Sequence, residues 1–399
     1  MNRILASIPG RGWTVLWVGI LLAAFWGHSD VQAQSSWTVP SVAPVLSNPD
    51  FECADGYTPD VNPAGDATLI PNGWTVSYRS GAPFLSSTRL KYRGGVCDDS
   101  GGLPFVEKLN GHDSLTILSQ HIEWSDAPGK PFDVVLYQQV PATVGGIYSL
   151  SGWLVSICGR NSKPFDCPEG YYIAKAVGLD PNGGTDPDAA SVEWVENRDG
   201  HVDSNGERLG WQNMRVATRA LSNRVTVFVR MSSPFQWHGN LGFVDAFSLV
   251  RGPLSELAAL PSEVEGNQVE VAWIGQQSPD VLQMAGSTHQ LLFDVQARYG
   301  RTGEWRDLVT GAVDAGSTTF TAPCVDAAYE FRVRARSEQP EGSSGLWPNQ
   351  RYPGVWSTPV RVYFNAAQPV EDPATPAVPN VPDGPIRIFI PQVSKAANC

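Results

Sequence analysis

LYQQVPATVGGIYSLSGWLV, residues 136–155, decides the fold class. Its second half puts Tyr148 and Leu150 on one face of an extended chain and Ser149, Ser151 and Trp153 on the other. In its first half Leu136 and Gln138 oppose Tyr137 and Gln139 in the same way. Period two marks a half-buried strand, and the Pro and Gly between the halves supply turn chemistry. The alternation returns in RVTVFV (224–229), VEVAWI (269–274), LLFDVQA (291–297) and YEFRVRA (329–335). Spread between such runs, 39 glycines and 32 prolines imply short strands joined by tight turns. Helix is confined to an expected turn at SELAAL, 255–260. The chain therefore reads as all-β, built of sandwiches or jelly rolls.

At 399 residues the chain has room for two or three domains. Residues 1–33 read as a signal peptide: Arg3 and Arg11 precede an apolar run from Gly12 to Trp26, and Val31-Gln32-Ala33 suits cleavage after Ala33. That run is short for a bilayer, so no membrane insertion is expected after cleavage and the mature protein should be secreted or extracellular. Two cores follow, at about 44–252 and 260–365. Residues 366–385 form a proline-rich linker, and 386–399 a short apolar tail that could attach the protein to a cell envelope. The formal net charge of -12 disfavours nucleic acid as a partner. Export permits disulfides among the six cysteines, and no CxxC pair points to zinc or redox chemistry. Cys158 with Cys167 closes the shortest loop; Cys53 with Cys97 is a second pairing, among fifteen possible sets.

NPDFE (48–52), KLNGHDSLTI (108–117), the 136–155 stretch, GWQNMRV (210–216) and GFVDAFSLV (242–250) occur in an order that resembles the galactose-binding-like jelly roll of many carbohydrate-binding modules. The resemblance implies neighbouring first and last strands, a structural calcium held by Glu52 and Asp245, and a polysaccharide or glycan as partner. Two carboxylates with nearby carbonyl oxygens suit that hard cation; the alternative is that both acids merely cap turns. Asp50 ranks below them, because it points to the opposite face from a strand neighbour one residue away. Tyr137, Gln139 and Trp153 are candidates for one sugar-stacking surface, with Trp124 and Trp194 in loops beside it. The plain alternative is that a long loop covers that face and these residues are buried mass. Trp74 matches a position that packs inside.

VGLDPNGGTDPD (177–188) concentrates acids, glycines and prolines. Counted from Asp180 as a helix–loop–helix calcium site, it puts Thr185 where glycine belongs and Ser191 where glutamate belongs, so it fails. No helix-opening Lys-Ser/Thr follows, which excludes a phosphate loop. A structured inter-strand loop is expected. CDDSGGLP (97–104) resembles the serine motif of trypsin-like proteases, but the only histidine before Ser100 is His28, inside the signal peptide. No catalytic residue emerges, although an unrecognised glycoside hydrolase stays open.

VEVAWI, LLFDVQARY, TTFTAP, YEFRVRARS and GVWSTPVRVYF follow the order of a fibronectin type III domain, which the second core resembles. The resemblance implies a core Trp273 and a corner Tyr329. Alternation then leaves Arg332, Arg334 and Arg336 outside, where they can stack on Trp305 and Trp356. The long connection 337–354 carries Trp347 and Tyr352, which either contact a partner or pack on the first core. The sequence thus reads as a secreted, non-catalytic carbohydrate-binding or glycan-adhesion protein with a fibronectin type III spacer, against the alternative of a structural envelope component.

Overall fold

The computed structural model describes residues 42–81, 84–88, 109–111, 113–118, 131–157, 172–199, 211–234, 241–340 and 350–366. The fold is all-β. Among the described residues the strands are accompanied by a 3-10 turn at Cys53–Asp55 and one short helix, α1 (Pro279–Gln283). Ser278 caps α1 by accepting from the Val281 N–H, one of the donors a helix start leaves unmatched.

The first part of the chain holds β1 (Tyr57–Val61), β2 (Ala67–Pro71), β3 (Thr75–Ser80), β4 (Phe84–Thr88), β5 (Ser114–Leu118) and β6 (Phe132–Pro141). It continues with β7 (Ile147–Ile157), β8 (Ala174–Asp180), β9 (Glu193–Asn197), β10 (Gln212–Arg219), β11 (Arg224–Ser233) and β12 (Leu241–Arg251). β1 and β2 form a ribbon. The others make two five-stranded sheets, β10-β7-β12-β5-β4 and β3-β6-β11-β8-β9. Side-chain alternation drives their stacking: Tyr148, Leu150 and Leu154 from β7 meet Val134, Leu136 and Val140 from β6 in one core. Phe51, Trp74 and Phe247 knit the chain entry to the closing strand, with ring centroids 5.3, 5.6 and 6.1 Å apart. Trp74 lies inside, as expected.

The second part holds β13 (Leu254–Leu257), β14 (Glu263–Glu265), β15 (Gln268–Gln276), β16 (Gln290–Tyr299), β17 (Arg306–Val313) and β18 (Gly316–Thr321). After these come β19 (Ala327–Glu338), β20 (Arg351–Pro353) and β21 (Val360–Asn365). Sheet β13-β15-β18 packs on sheet β14-β21-β19-β16-β17, with β20 added beside β19. Trp273 and Tyr329 are both in that core, and the Tyr329 hydroxyl accepts from the Cys324 N–H at 3.1 Å. The helical turn expected at 255–260 is instead strand β13, paired with Trp273 through Gln276 on β15. One turn of helix offers few hydrogen bonds for its ordering cost, whereas an open sheet edge offers a ready ladder.

The two sandwiches meet through β12, α1 and β20. Tyr352 is fully buried against Val250, Val281 and Met284, and its hydroxyl donates to Ser248 Oγ at 2.9 Å. Arg251 and Asp280 form an ion pair, and Asp280 also accepts from the Arg251 N–H at 2.7 Å. Of the two roles foreseen for Tyr352, packing on the first core is the one the fold builds.

Candidate functional site

The entry segment and the closing strand do come together. The Phe247 N–H donates to Pro49 O at 2.9 Å, and β12 bulges between Asp245 and Ser248 with Ala246 at a left-handed φ of 51°. The bulge turns Asp245 into a fully buried position. Its Oδ2 accepts from the N–H groups of Leu109 and Asn110 at 2.7 and 2.8 Å, and its Oδ1 from that of Ala246 at 2.6 Å. Burial holds its carboxyl well above the usual range, and the three N–H groups pull the other way. Glu52 lies over the same segment: a Cβ at Gly111, whose φ is 55°, would overlap its carboxylate. Buried Asp113 accepts from the Cys53 N–H at 3.3 Å.

Asp50, ranked lower from the sequence, belongs to this neighbourhood and accepts from Asn110 Nδ2 at 3.4 Å. Strand alternation does not govern residues 48–52, because Asn48 and Phe51 have φ values of 44° and 53° and fold them into a turn. The Tyr57 hydroxyl is pushed up by burial first and then by Asp113, Asp245 and Glu52 together. An all-oxygen donor set of this kind is the chemistry a calcium ion takes. Among the described residues no three His, Cys, Asp or Glu side chains converge as a metal cage.

The surface foreseen for Tyr137, Gln139 and Trp153 is not built. Tyr137 and Gln139 are on β6 and Trp153 is on β7, in opposite sheets, so their outer faces point away from each other. Trp153 is 8% exposed, packed with Leu109, Val155, Trp211, Phe243 and Ala246. Tyr137 and Trp194 are half-buried on Phe228, at 5.9 and 5.7 Å, beneath Ala189 and Val192. Gln139 Nε2 donates to Gly183 O at 2.6 Å, and Trp194 Nε1 to Pro187 O at 3.2 Å. Trp124, Cys97, Cys158 and Cys167 lie outside the described residues; neither Cys53 nor Cys324 is a free thiol.

The cover over β6 and β11 is the acidic loop itself. Buried Asp180 accepts from the N–H groups of Asn182 and Gly184 at 3.0 and 2.7 Å, and Asp186 from that of Asp188 at 3.0 Å. Arg79 ties Asp188 to Asp133. Gly183 has a φ of 68° and a Cβ there would press on the Arg224 backbone, so glycine is required.

The other outer face meets the second sandwich. Asn213 and Arg215, on edge strand β10, stand opposite Trp153 and Ser151. Asn213 Nδ2 donates to Ser151 Oγ at 2.8 Å, Ser151 Oγ to Gln350 Oε1 at 2.6 Å, and Gln350 Nε2 to Ala246 O at 2.8 Å. Beside this relay Asn213 Oδ1 and Arg215 Nη1 have no hydrogen-bond partner among the described residues.

No family model matches the chain, and no curated protein does either. Among solved structures, similarity is found to TmCBM61 in complex with β-1,4-galactotriose, at 17% identity and a TM-score of 0.30, over 52% of this chain and 98% of that one. The adhesin domain of Epf from Streptococcus pyogenes matches at 13% identity and 0.20, over 65% and 79%. Chicken CNTN1 FN1-FN3 domains match at 12% identity and 0.17, over 75% and 93%. No residue role follows from these likenesses.

Proposed function

We propose that this is an exported, non-catalytic glycan-binding protein, with a galactose-binding-like jelly roll joined to a fibronectin type III spacer. Two stacked antiparallel sheets around one core support the first assignment. A three-stranded sheet against a six-stranded one, with Trp273 inside and a corner hydroxyl on Tyr329, supports the second. The observation that carries the function is the short polar row on β10, where Asn213 and Arg215 share the outward face at the sandwich junction and no described residue completes the hydrogen bonds of Asn213 Oδ1 and Arg215 Nη1. A sugar supplies hydroxyls that both donate and accept, which is what such a row lacks. With Trp153 enclosed, binding falls to this edge rather than to an aromatic platform. The tail beyond residue 385 serves attachment to the cell envelope.

Affinity electrophoresis of the full chain through a panel of neutral and acidic polysaccharides tests the reading. Retardation by at least one polymer, lost in the Asn213→Ala/Arg215→Ala double variant, is expected; retardation by none would remove it. In the same reading Glu52 and Asp245 hold a structural calcium, and chelation should lower the melting temperature by several degrees. An unchanged melting temperature leaves those acids as turn anchors only.

A further inference from the structure

The outer face of β19 and β16 is cationic on a chain whose formal charge is -12. Arg332, Arg334 and Arg336 alternate along it. The Trp305 ring takes Arg298 at 4.4 Å and Arg332 at 4.0 Å, and the Trp356 ring takes Arg332 at 4.3 Å and Arg334 at 4.6 Å. Carboxylates sit among them: Glu330 with Arg298, Asp294 with Arg334 and Arg336, and Glu338 with Arg336. Arg332 has no carboxylate partner among the described residues. Its Nε and Nη2 both donate to Gln296 Oε1, at 3.0 and 2.7 Å, and Gln296 Nε2 in turn holds Asp307 at 2.8 Å.

The strip does not stop at the end of β19. Arg351 on β20 stands opposite Glu338, and Arg215 on β10 reaches to 4.0 Å from the same carboxylate. The named arginines outnumber the named carboxylates along the whole length. Burial and then Arg298 and Arg334 make Arg332 easier to deprotonate than usual. Burial acts first on Arg215, and Arg351, Arg336 and Arg334 add to it against Glu338. These cations are crowded, and an added anion would relieve them. From the level of residue 330 to that of 338 a strand rises about 27 Å, the length of several sugar rings.

Geometry favours a planar anion. A guanidinium stacked on an indole has its faces occupied and keeps its in-plane N–H edge for hydrogen bonding. That edge suits a carboxylate: Glu330 Oε2 takes both Nε and Nη2 of Arg298, at 2.9 and 2.6 Å, whereas on Arg332 the same two groups have only the neutral Gln296 Oε1. We infer that the strip from Arg298 across Arg332 to Arg351 and Arg215 binds a polyuronate, a glycan carrying a carboxylate on each sugar. The inference rests on the glycan-binding reading above and narrows it to an acidic polymer.

The test is affinity electrophoresis of the full chain through polygalacturonate, its methyl ester, neutral galactan and dextran sulfate. Retardation by polygalacturonate alone, weakening with salt, is expected. Loss of one charge-assisted contact should weaken it about tenfold in Arg332→Gln and in Arg351→Gln. Arg351 lies outside the tryptophan stack, so its variant reads binding even if Arg332→Gln fails to fold. Equal retardation by the methyl ester or by galactan overturns the acidic assignment while glycan binding stands. Equal retardation by dextran sulfate makes the strip a general polyanion surface and overturns the uronate. Retardation by no polymer overturns both readings.

Discussion

The outer faces of the two sandwiches carry the same kinds of residue and end in opposite states. On the first, Tyr137 and Trp194 pack under the loop from Asp180 to Val192, Trp153 and Trp211 are buried with Leu109, Phe243 and Ala246, and Gln350 and Tyr352 close the neighbouring face at Ser151 and Ser248. On the second, Trp305 and Trp356 are half-exposed and hold arginines that face solvent along one edge. An aromatic residue on the outward side of a strand is therefore not a platform by virtue of its place in the alternation. What crosses above it decides, and that cover comes from elsewhere in the chain.

The strongest way to break the contrast is to remove the cover. Tyr352→Ala deletes a fully buried ring at the junction, and large-to-small changes of this kind cost about 3–5 kcal/mol. Calorimetry should show the single transition splitting as the sandwiches uncouple, with β10 and β12 amides exchanging faster. One unshifted transition would mean that the junction contributes little.

A cation enclosed in the first sandwich sharpens the comparison with those displayed on the second. Lys175 is 1% exposed, donating to Ser156 Oγ at 3.0 Å and Asp199 O at 2.6 Å. Burial, opposed by Asp199, lowers its pKa to about 8. Between pH 8 and the ordinary lysine value near 10.4, the unfolded chain binds a proton that the folded chain has released, so stability rises with pH across that window, by at most roughly 3 kcal/mol. Lys175→Met should flatten the rise and stabilise the protein at pH 7; denaturant midpoints at pH 7 and 10 measure both. An unchanged pH profile would place the lysine's proton elsewhere.

Next in size is the loop cover. Asp180→Ala removes the acceptor of two part-buried N–H groups, a loss of about 1–3 kcal/mol, and should speed hydrogen exchange at Asn182 and Gly184 without altering exchange in β19. The smallest effect belongs to the open face. Trp356→Leu removes the ring between Arg332 and Arg334 and should cost about 1 kcal/mol in chemical denaturation. A loss several times larger would make the stack part of the core.

Local pattern carried far where neighbours in sequence were neighbours in space. The faces of residues 148–155, the inward Tyr329, Phe331, Val333 and Ala335, and the arginine stacking on Trp305 and Trp356 all follow from alternation on adjacent strands. It failed where geometry left the strand or where cover was remote. The place of Asp50 beside Asn110 is not legible, because Asn48 and Phe51 adopt left-handed backbone. Alternation leaves Trp153 open to both readings, platform or buried mass, because the face it shares with Ser151 is closed by Gln350, which lies 199 residues from Ser151. Strand β13 was hidden in a helix-like composition because only pairing with β15 makes it extended. A positive φ at Gly183, by contrast, is legible as glycine in a loop, though not that the Arg224 backbone passes beside it.

Hydrogen exchange of the full chain with and without polygalacturonate tests the central claim most directly. Protection is expected in residues 332–336, 351–353 and 212–215, with the loop from Asp180 to Val192 unchanged. Protection confined to that loop, or to residues 109–113, would contradict a binding strip on the second sandwich and return the ligand to the first.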